Sequence, residues 1–278
     1  MANTLTGTPA AAAIYVQVRE HAAALDAPPC LAAVSVGAQP DDRAYLRSIA
    51  LSAEDCGITV RPVPLPADCA PEALTDTLRA LSTDGAVHGV LLLRPLPEAL
   101  RAQEILDTLD ARKDVDGMTT ASLGALVTGA AGFAPCTAEA CMELLRAHGI
   151  DPAGRRVTIV GRSLVIGRPA ALLLTRADAT VTLCHRKTPD FAARCRDADI
   201  LLAAAGAPGL ITTDFVRPGQ IVLDAGATAL PDGTLRGDVA PDAAAIAVCT
   251  PVPGGIGSVT TALLLRHTVQ AAENLRHF

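Results

Sequence analysis

Arg156-Val157-Thr158-Ile159-Val160-Gly161-Arg162-Ser163-Leu164-Val165-Ile166-Gly167-Arg168-Pro169 is the stretch whose reading decides the fold. Arg156–Val160 is short, apolar and β-branched, the pattern of a buried strand. Gly161–Pro169 reads as a turn and Ala170–Arg176 as a helix. A glycine-bearing turn between strand and helix suits a phosphate, because helix N-terminal amides face the anion and glycine lets the backbone approach it. The spacing departs from G-x-G-x-x-G, so the loop alone is a weak signal. The next strand, Thr180–Cys184, runs into His185-Arg186-Lys187-Thr188. In a dinucleotide-binding unit this tip meets the adenosine ribose, where an acidic residue favours NAD and basic residues accommodate a 2′-phosphate. Arg186 and Lys187, with Arg162 in the first loop, favour NADP over NAD. A solvated basic turn is the plainer alternative.

Outward from that unit, the same alternation recurs. Leu31–Val36 reads as a strand, Gly37–Asp42 as a turn, Ala44–Cys56 as a helix ended by Gly57, and Thr59–Leu65 as a second strand. Glu72–Ser82 reads as a helix and Gly89–Leu93 as a strand stopped by Arg94-Pro95-Leu96-Pro97. After Pro135, Thr137 is a candidate cap for a helix to about His148. Ile200–Ala204 and Ile221–Asp224 are further strands, and Thr260–Leu275 is a final helix. Strand–helix–strand repetition implies parallel βαβ units and an α/β fold.

Composition narrows the function. The 278 residues fit two compact domains or one large one. Net charge is −6 without long charge blocks, which argues against a nucleic-acid surface. With two Tyr, four Phe and no Trp, each Tyr draws attention. The eight Cys show no CxxC pair and no His/Cys spacing for a metal, so no metal is expected and free thiols in a cytoplasmic setting are the expectation. No apolar run approaches the roughly 18–20 residues of a membrane span, and the N-terminus reads as mature sequence rather than a signal peptide. Of 23 basic residues only Lys113 and Lys187 are lysines.

Several segments together resemble the methylenetetrahydrofolate dehydrogenase/cyclohydrolase family: Lys113-Asp114-Val115-Asp116-Gly117, Pro135-Cys136-Thr137, Gly161–Pro169, and Thr250-Pro251-Val252-Pro253-Gly254-Gly255-Ile256-Gly257 followed by Thr260. Gly206-Pro208-Gly209, Asp224-Ala225-Gly226 and Gly237-Asp238-Val239 fall in the family's order. The resemblance spans nearly the whole chain. It implies two α/β domains flanking a cleft: a folate-binding catalytic domain over 1–137 plus the C-terminal helix at about 262–278, and a Rossmann-like NADP-binding domain over 138–261. It also implies a tetrahydrofolate derivative as substrate and a homodimer.

The resemblance carries over residue by residue. The family's folate helix holds Tyr and Lys four apart, on one face. Tyr45 keeps the first, as an aromatic partner for the folate ring, but Ile49 stands where the lysine belongs. Arg47 points to another helix face. The family's G-x-x-x-Gln-x-Pro-Leu-Pro segment is Gly89–Pro97 here, with Leu93 at the glutamine that tunes the lysine and Arg94 as a new charge whose role is open. Asp116 remains, the carboxylate that anchors the pterin's N–H groups. Pro253, Gly254 and Gly255 would line the folate side. Gly161, Arg162, Ser163, Ile166, Gly167, His185, Arg186, Lys187, Gly206 and Thr260 would hold the nucleotide.

The two family reactions differ in demand. Hydride transfer from the methylene bridge to nicotinamide is mainly proximity and orientation. Hydrolysis of the methenyl product needs a general acid/base, whose removal costs on the order of 100- to 10,000-fold. The expectation is a dehydrogenase with cyclohydrolase activity lost or very weak. Two alternatives stand beside it: a specialised-metabolism paralogue acting on a modified folate-like substrate, and a non-catalytic folate- or NADP-binding paralogue.

Overall fold

The computed structural model describes residues 4–38 and 40–276. In chain order the elements are α1 (Thr8–Ala23), β1 (Cys30–Val36), α2 (Pro40–Glu54), β2 (Thr59–Leu65), α3 (Pro71–Thr83), β3 (Gly89–Leu92), α4 (Gln103–Leu106), α5 (Thr120–Thr128) and α6 (Cys136–Ala147). They continue with β4 (Arg156–Val160), α7 (Gly167–Arg176), β5 (Thr180–Cys184), α8 (Phe191–Asp197), β6 (Ile200–Ala203), β7 (Ile221–Asp224), β8 (Thr228–Ala229), β9 (Leu235–Arg236), α9 (Pro241–Ile246), β10 (Val248–Cys249) and α10 (Ile256–Leu275). The chain forms two compact α/β units. One comprises residues 13–136 and 261–278, the other residues 1–12 and 137–260. Below they are the first and second unit.

The first unit holds a parallel sheet in the order β2-β1-β3. Leu31, Ala32, Ala33 and Val34 of the central strand are fully buried, which is why this strand reads as an unbroken apolar run rather than an alternation. α3 starts on Pro71, whose missing N–H costs nothing in a first turn. It buries Leu74, Leu78 and Leu81, one stripe at helical spacing. Tyr45, Ile49 and Ala53 share a face of α2 for the same reason. The segment beyond α4 pairs alongside β3 through a parallel bridge between Val90 and Asp114.

The second unit holds a five-stranded parallel sheet in the order β10-β7-β6-β4-β5. Strands β4 and β6 are neighbours, and the chain leaves them toward opposite sides of the sheet. That is the topological switch point, where open α/β sheets bind ligands at the strand carboxyl ends. One face is packed by Leu201, Val222, Ile211, Val239 and Ala243, with Phe191 and Phe215 edge to face at 5.0 Å.

Several boundaries differ from the sequence reading. α2 begins at Pro40, so the turn expected over Gly37–Asp42 is shorter; its Gln39 lies outside the described residues, as do Met1–Asn3 and the last two residues of the expected C-terminal segment. α6 begins at Cys136, which places Thr137 inside the first turn rather than at the cap. α7 begins at Gly167, absorbing Pro169 into its first turn, a position that Pro tolerates. α10 begins at Ile256, directly after the glycine pair. The N-terminal residues expected in the folate domain group with the second unit. Leu5 N–H donates to Cys249 O (3.0 Å) and Gly7 N–H to Gly254 O (2.9 Å), tying the segment to the strand and turn after α9. Among the described residues no helix is long and apolar enough to cross a membrane.

Candidate functional site

In the first unit, α2 follows β1 and Leu93-Arg94 follows β3, so both lie at the carboxyl end of neighbouring parallel strands. Tyr45 is 40% exposed. Protein crowds its hydroxyl end and raises the phenol's pKa. The Asp116 carboxylate adds to that rise, while a side-chain hydrogen bond with Thr261 on α10 opposes it. One turn further, Ile49 has no exposed surface, and Leu93 is buried. Both were expected to contact substrate. Their side chains are packed inward here, because the face of α2 that carries Tyr45 turns into the core within one turn.

The Lys113–Gly117 loop divides its labour. Lys113 is buried, and its Nζ donates to Leu81 O (3.1 Å) and Asp84 O (2.8 Å). Asp114 is buried and accepts from Thr119 N–H and Ser122 Oγ, both at 2.7 Å. These two residues hold the loop and leave Asp116 as its displayed group. Gly117 has φ +67 and packs on the Phe133–Ala134 backbone, where a Cβ would collide, so the turn requires glycine. Asp116 keeps partial solvent access, yet surrounding protein pushes its pKa up to about 7. The neighbouring Asp114 adds to the rise, and Arg94, Cys136 and His267 oppose it. Near neutrality this carboxyl therefore divides between its neutral and charged forms. An aromatic ring and a carboxyl, close enough to perturb each other, suit a flat heterocycle that donates paired N–H groups.

In the second unit, Gly161 has φ +116 and lies against the Ala204 carbonyl, which no side chain would allow. The close approach of the loops after β4 and β6 at the switch point depends on it. Ser163 Oγ accepts from Ile166 N–H (3.2 Å) and shapes the turn. Ile166, at the cap of α7, makes no side-chain capping bond, which leaves the helix start suited to an anion. At the tip of β5, His185 Nδ1 accepts from Lys187 N–H (3.2 Å), and Thr188 Oγ1 accepts from His185 N–H (3.0 Å). This locked turn projects Arg186 and Lys187 into solvent, and Arg162 is exposed as well. Gly206 is exposed in the loop after β6. Pro253 and Gly254 are exposed and Gly255 is buried. Thr260 is half-buried, its hydroxyl donating to Ile256 O (3.1 Å).

Sequence reasoning missed the groups that hold these loops. Asp238 is fully buried and accepts from the amides of Ala205 (2.6 Å), Gly206 (3.0 Å) and Ala207 (2.7 Å), fixing the loop after β6. Asp224 accepts from Gly226, Asp238 and Val239 N–H. Burial raises its pKa, and those amides oppose the rise. Both aspartates sit in motifs of family order, but no spacing reveals a carboxylate among backbone amides. His267 gave no signal, being one histidine on an apolar helix.

Two family profiles cover the chain: the catalytic domain of tetrahydrofolate dehydrogenase/cyclohydrolase matches residues 5–116, and its NAD(P)-binding domain matches residues 135–276. The bifunctional protein FolD 1 of Rhodococcus jostii is 47% identical over 279 residues, covering 98% of this chain and 93% of its own. The crystal structure of bifunctional FolD from Campylobacter jejuni superposes with a TM-score of 0.93 at 37% identity, covering 98% of this chain and 99% of that one. The FolD of Trypanosoma brucei, solved with NADP cofactor and inhibitor, gives 0.93 at 34% identity, covering 100% and 99%.

Proposed function

The chain belongs to the tetrahydrofolate dehydrogenase/cyclohydrolase family, and on that premise we propose that it oxidises methylenetetrahydrofolate with NADP and has lost the cyclohydrolase step. Tyr45 stacks on the folate ring and Asp116 accepts its N–H groups. Gly161, Arg162, Ser163, Ile166, Gly167 and Gly206 receive the nucleotide's phosphates and adjoining groups. Arg186 and Lys187, on the turn built by His185, take the 2′-phosphate. The nicotinamide supplies the hydride acceptor. The protein's task is to orient the two rings and exclude water, because the folate nitrogens themselves stabilise the developing cation.

One observation carries the loss of hydrolysis. Both lysines of the chain are placed: Lys113 is bound to two backbone carbonyls, and Lys187 stands on the β5 turn of the second unit. Position 49 itself is isoleucine, and Ile49 and Leu93 have no titratable atom. Purified protein should reduce NADP with methylenetetrahydrofolate, and methenyltetrahydrofolate should lose absorbance only at the buffer rate. Enzyme-dependent hydrolysis well above that rate overturns the second half of the reading, and no NADP reduction overturns the first. A homodimer is part of the same reading. Sedimentation should give about twice the 28.4 kDa chain mass.

A further inference from the structure

Behind Asp116 lies a buried cluster that hydride transfer does not use. Cys136 opens α6 and is 1% exposed; His267 on α10 is 2% exposed. They are 131 residues apart in sequence, yet Sγ and Nδ1 stand 3.5 Å from each other. Both address one acceptor, the Val115 carbonyl, with Sγ at 3.2 Å and Nδ1 at 2.9 Å. A carbonyl only accepts, so Nδ1 carries the proton that points at it. The Phe133 ring lies 4.8 Å from the imidazole centroid at 31°. Val115 immediately precedes Asp116, so the peptide joining them is clamped from two helices. The Cys136 thiol also neighbours the Asp116 carboxyl and favours its charged form.

We propose that Cys136 and His267 are positioning residues that aim the Asp116 carboxyl at its ligand, through the Val115 carbonyl and the Cys136 thiol. This rests on the reading that Asp116 grips the folate ring. The groups facing that carboxyl are Asp114 on its own loop, Arg94 after β3, Tyr45 on α2, Cys136 on α6 and His267 on α10. Burial and Asp114 favour the protonated carboxyl; Arg94, Cys136 and His267 favour the anion. The clamp therefore sets both the direction of the carboxyl and the pH at which it becomes a pure acceptor.

The test titrates Asp116 by carbon NMR in the full chain labelled at aspartate, without ligand, with Asp116→Asn identifying its signal. His267→Asn keeps a donor toward Val115 O and removes the imidazole ring. Cys136→Ala removes the thiol, and Cys136→Ser keeps a hydroxyl donor. In His267→Asn and Cys136→Ala the Asp116 midpoint should rise by about half a pH unit to one unit, three- to tenfold in proton affinity. Cys136→Ser should return it close to wild type. The pH dependence of affinity for 5-formyltetrahydrofolate, a folate that does not react, should move with the midpoint. An unmoved midpoint in both variants overturns the proposal, as does a serine variant that behaves like alanine. If Cys136→Ala does not fold, His267→Asn against wild type decides. Failure of the folate to bind wild type refutes the folate reading alone, because the NMR result needs no ligand.

Discussion

Replacing Ile49 with lysine puts the family's amine back at a fully buried position of α2. Ile49 has no exposed surface, so the substitution forfeits the burial of a full aliphatic side chain, about 1.5–3 kcal/mol. The lysine stem recovers part of this by filling the same slot. Its amine is then held at a position with no exposed surface, on an apolar face of α2 that offers no side-chain acceptor. An unsatisfied buried donor costs about 1–3 kcal/mol more, giving a net loss of about 2–5 kcal/mol against a typical total of about 5–15 kcal/mol. Burial also lowers a lysine's pKa by as much as about 3–5 units, so the amine is largely neutral at pH 7 and can serve as a base. A positioned acid/base supplies about 100- to 10,000-fold. Without a tuning partner only the bottom of that range is within reach. Ile49→Lys should speed hydrolysis of methenyltetrahydrofolate about tenfold, and Ile49→Lys with Leu93→Gln about 100-fold. Dehydrogenase turnover, which needs no proton shuttle, should stay within a few-fold. The assays are methenyl absorbance decay and urea unfolding. The reasoning fails if wild type already hydrolyses as fast as the double variant, or if lysine at 49 leaves the urea midpoint in place.

Three other outcomes follow from the geometry. Asp116→Asn should lower kcat/KM for the folate about 10- to 100-fold, the worth of a charge-assisted hydrogen bond. It should also flatten a pH profile that in wild type climbs through about 7, because the accepting anion forms only above that value. Stability runs the other way: a carboxyl whose pKa is raised on folding stabilises at low pH and loses that contribution as pH rises through about 7. Urea midpoints at pH 5 and pH 8 should therefore converge in the variant. Arg186→Ala with Lys187→Ala should raise KM for NADP about 10- to 100-fold and leave NAD nearly unaffected. Asp238→Ala strips the acceptor from three loop amides and should cost about 3 kcal/mol in urea while weakening NADP binding measured by titration calorimetry.

β4 and β7 were readable because strands buried on both faces are nearly unbroken apolar runs; the half-exposed edge strands β2 and β5 were readable from their β-branched residues. α1 was not, although Ile14, Val18 and Ala22 recur every four residues and are buried. Its alanine-rich run leaves little contrast between faces. The short helices α8 and α9 and the hairpin of β8 and β9 are too brief for any period to emerge. On the site, Tyr45 and Asp116 announced themselves by residue type within motifs. The clamp on Asp116 did not, since its parts come from α6, α10 and a loop.

Residue identity alone settled which chemistry is available. A chain with only two lysines and an isoleucine at position 49 has no amine to offer there, and a basic β5 tip carries its charge however it folds. Burial and long-range meeting settled how those groups behave. Ile49 is sealed because α2 turns inward within one turn, and the Asp116 carboxyl titrates near neutrality because desolvation and Asp114 outweigh Arg94, Cys136 and His267. Those energies depend on what surrounds an atom in space. Positions as far apart as 136 and 267 become neighbours only when the sheet and its helices have closed around them.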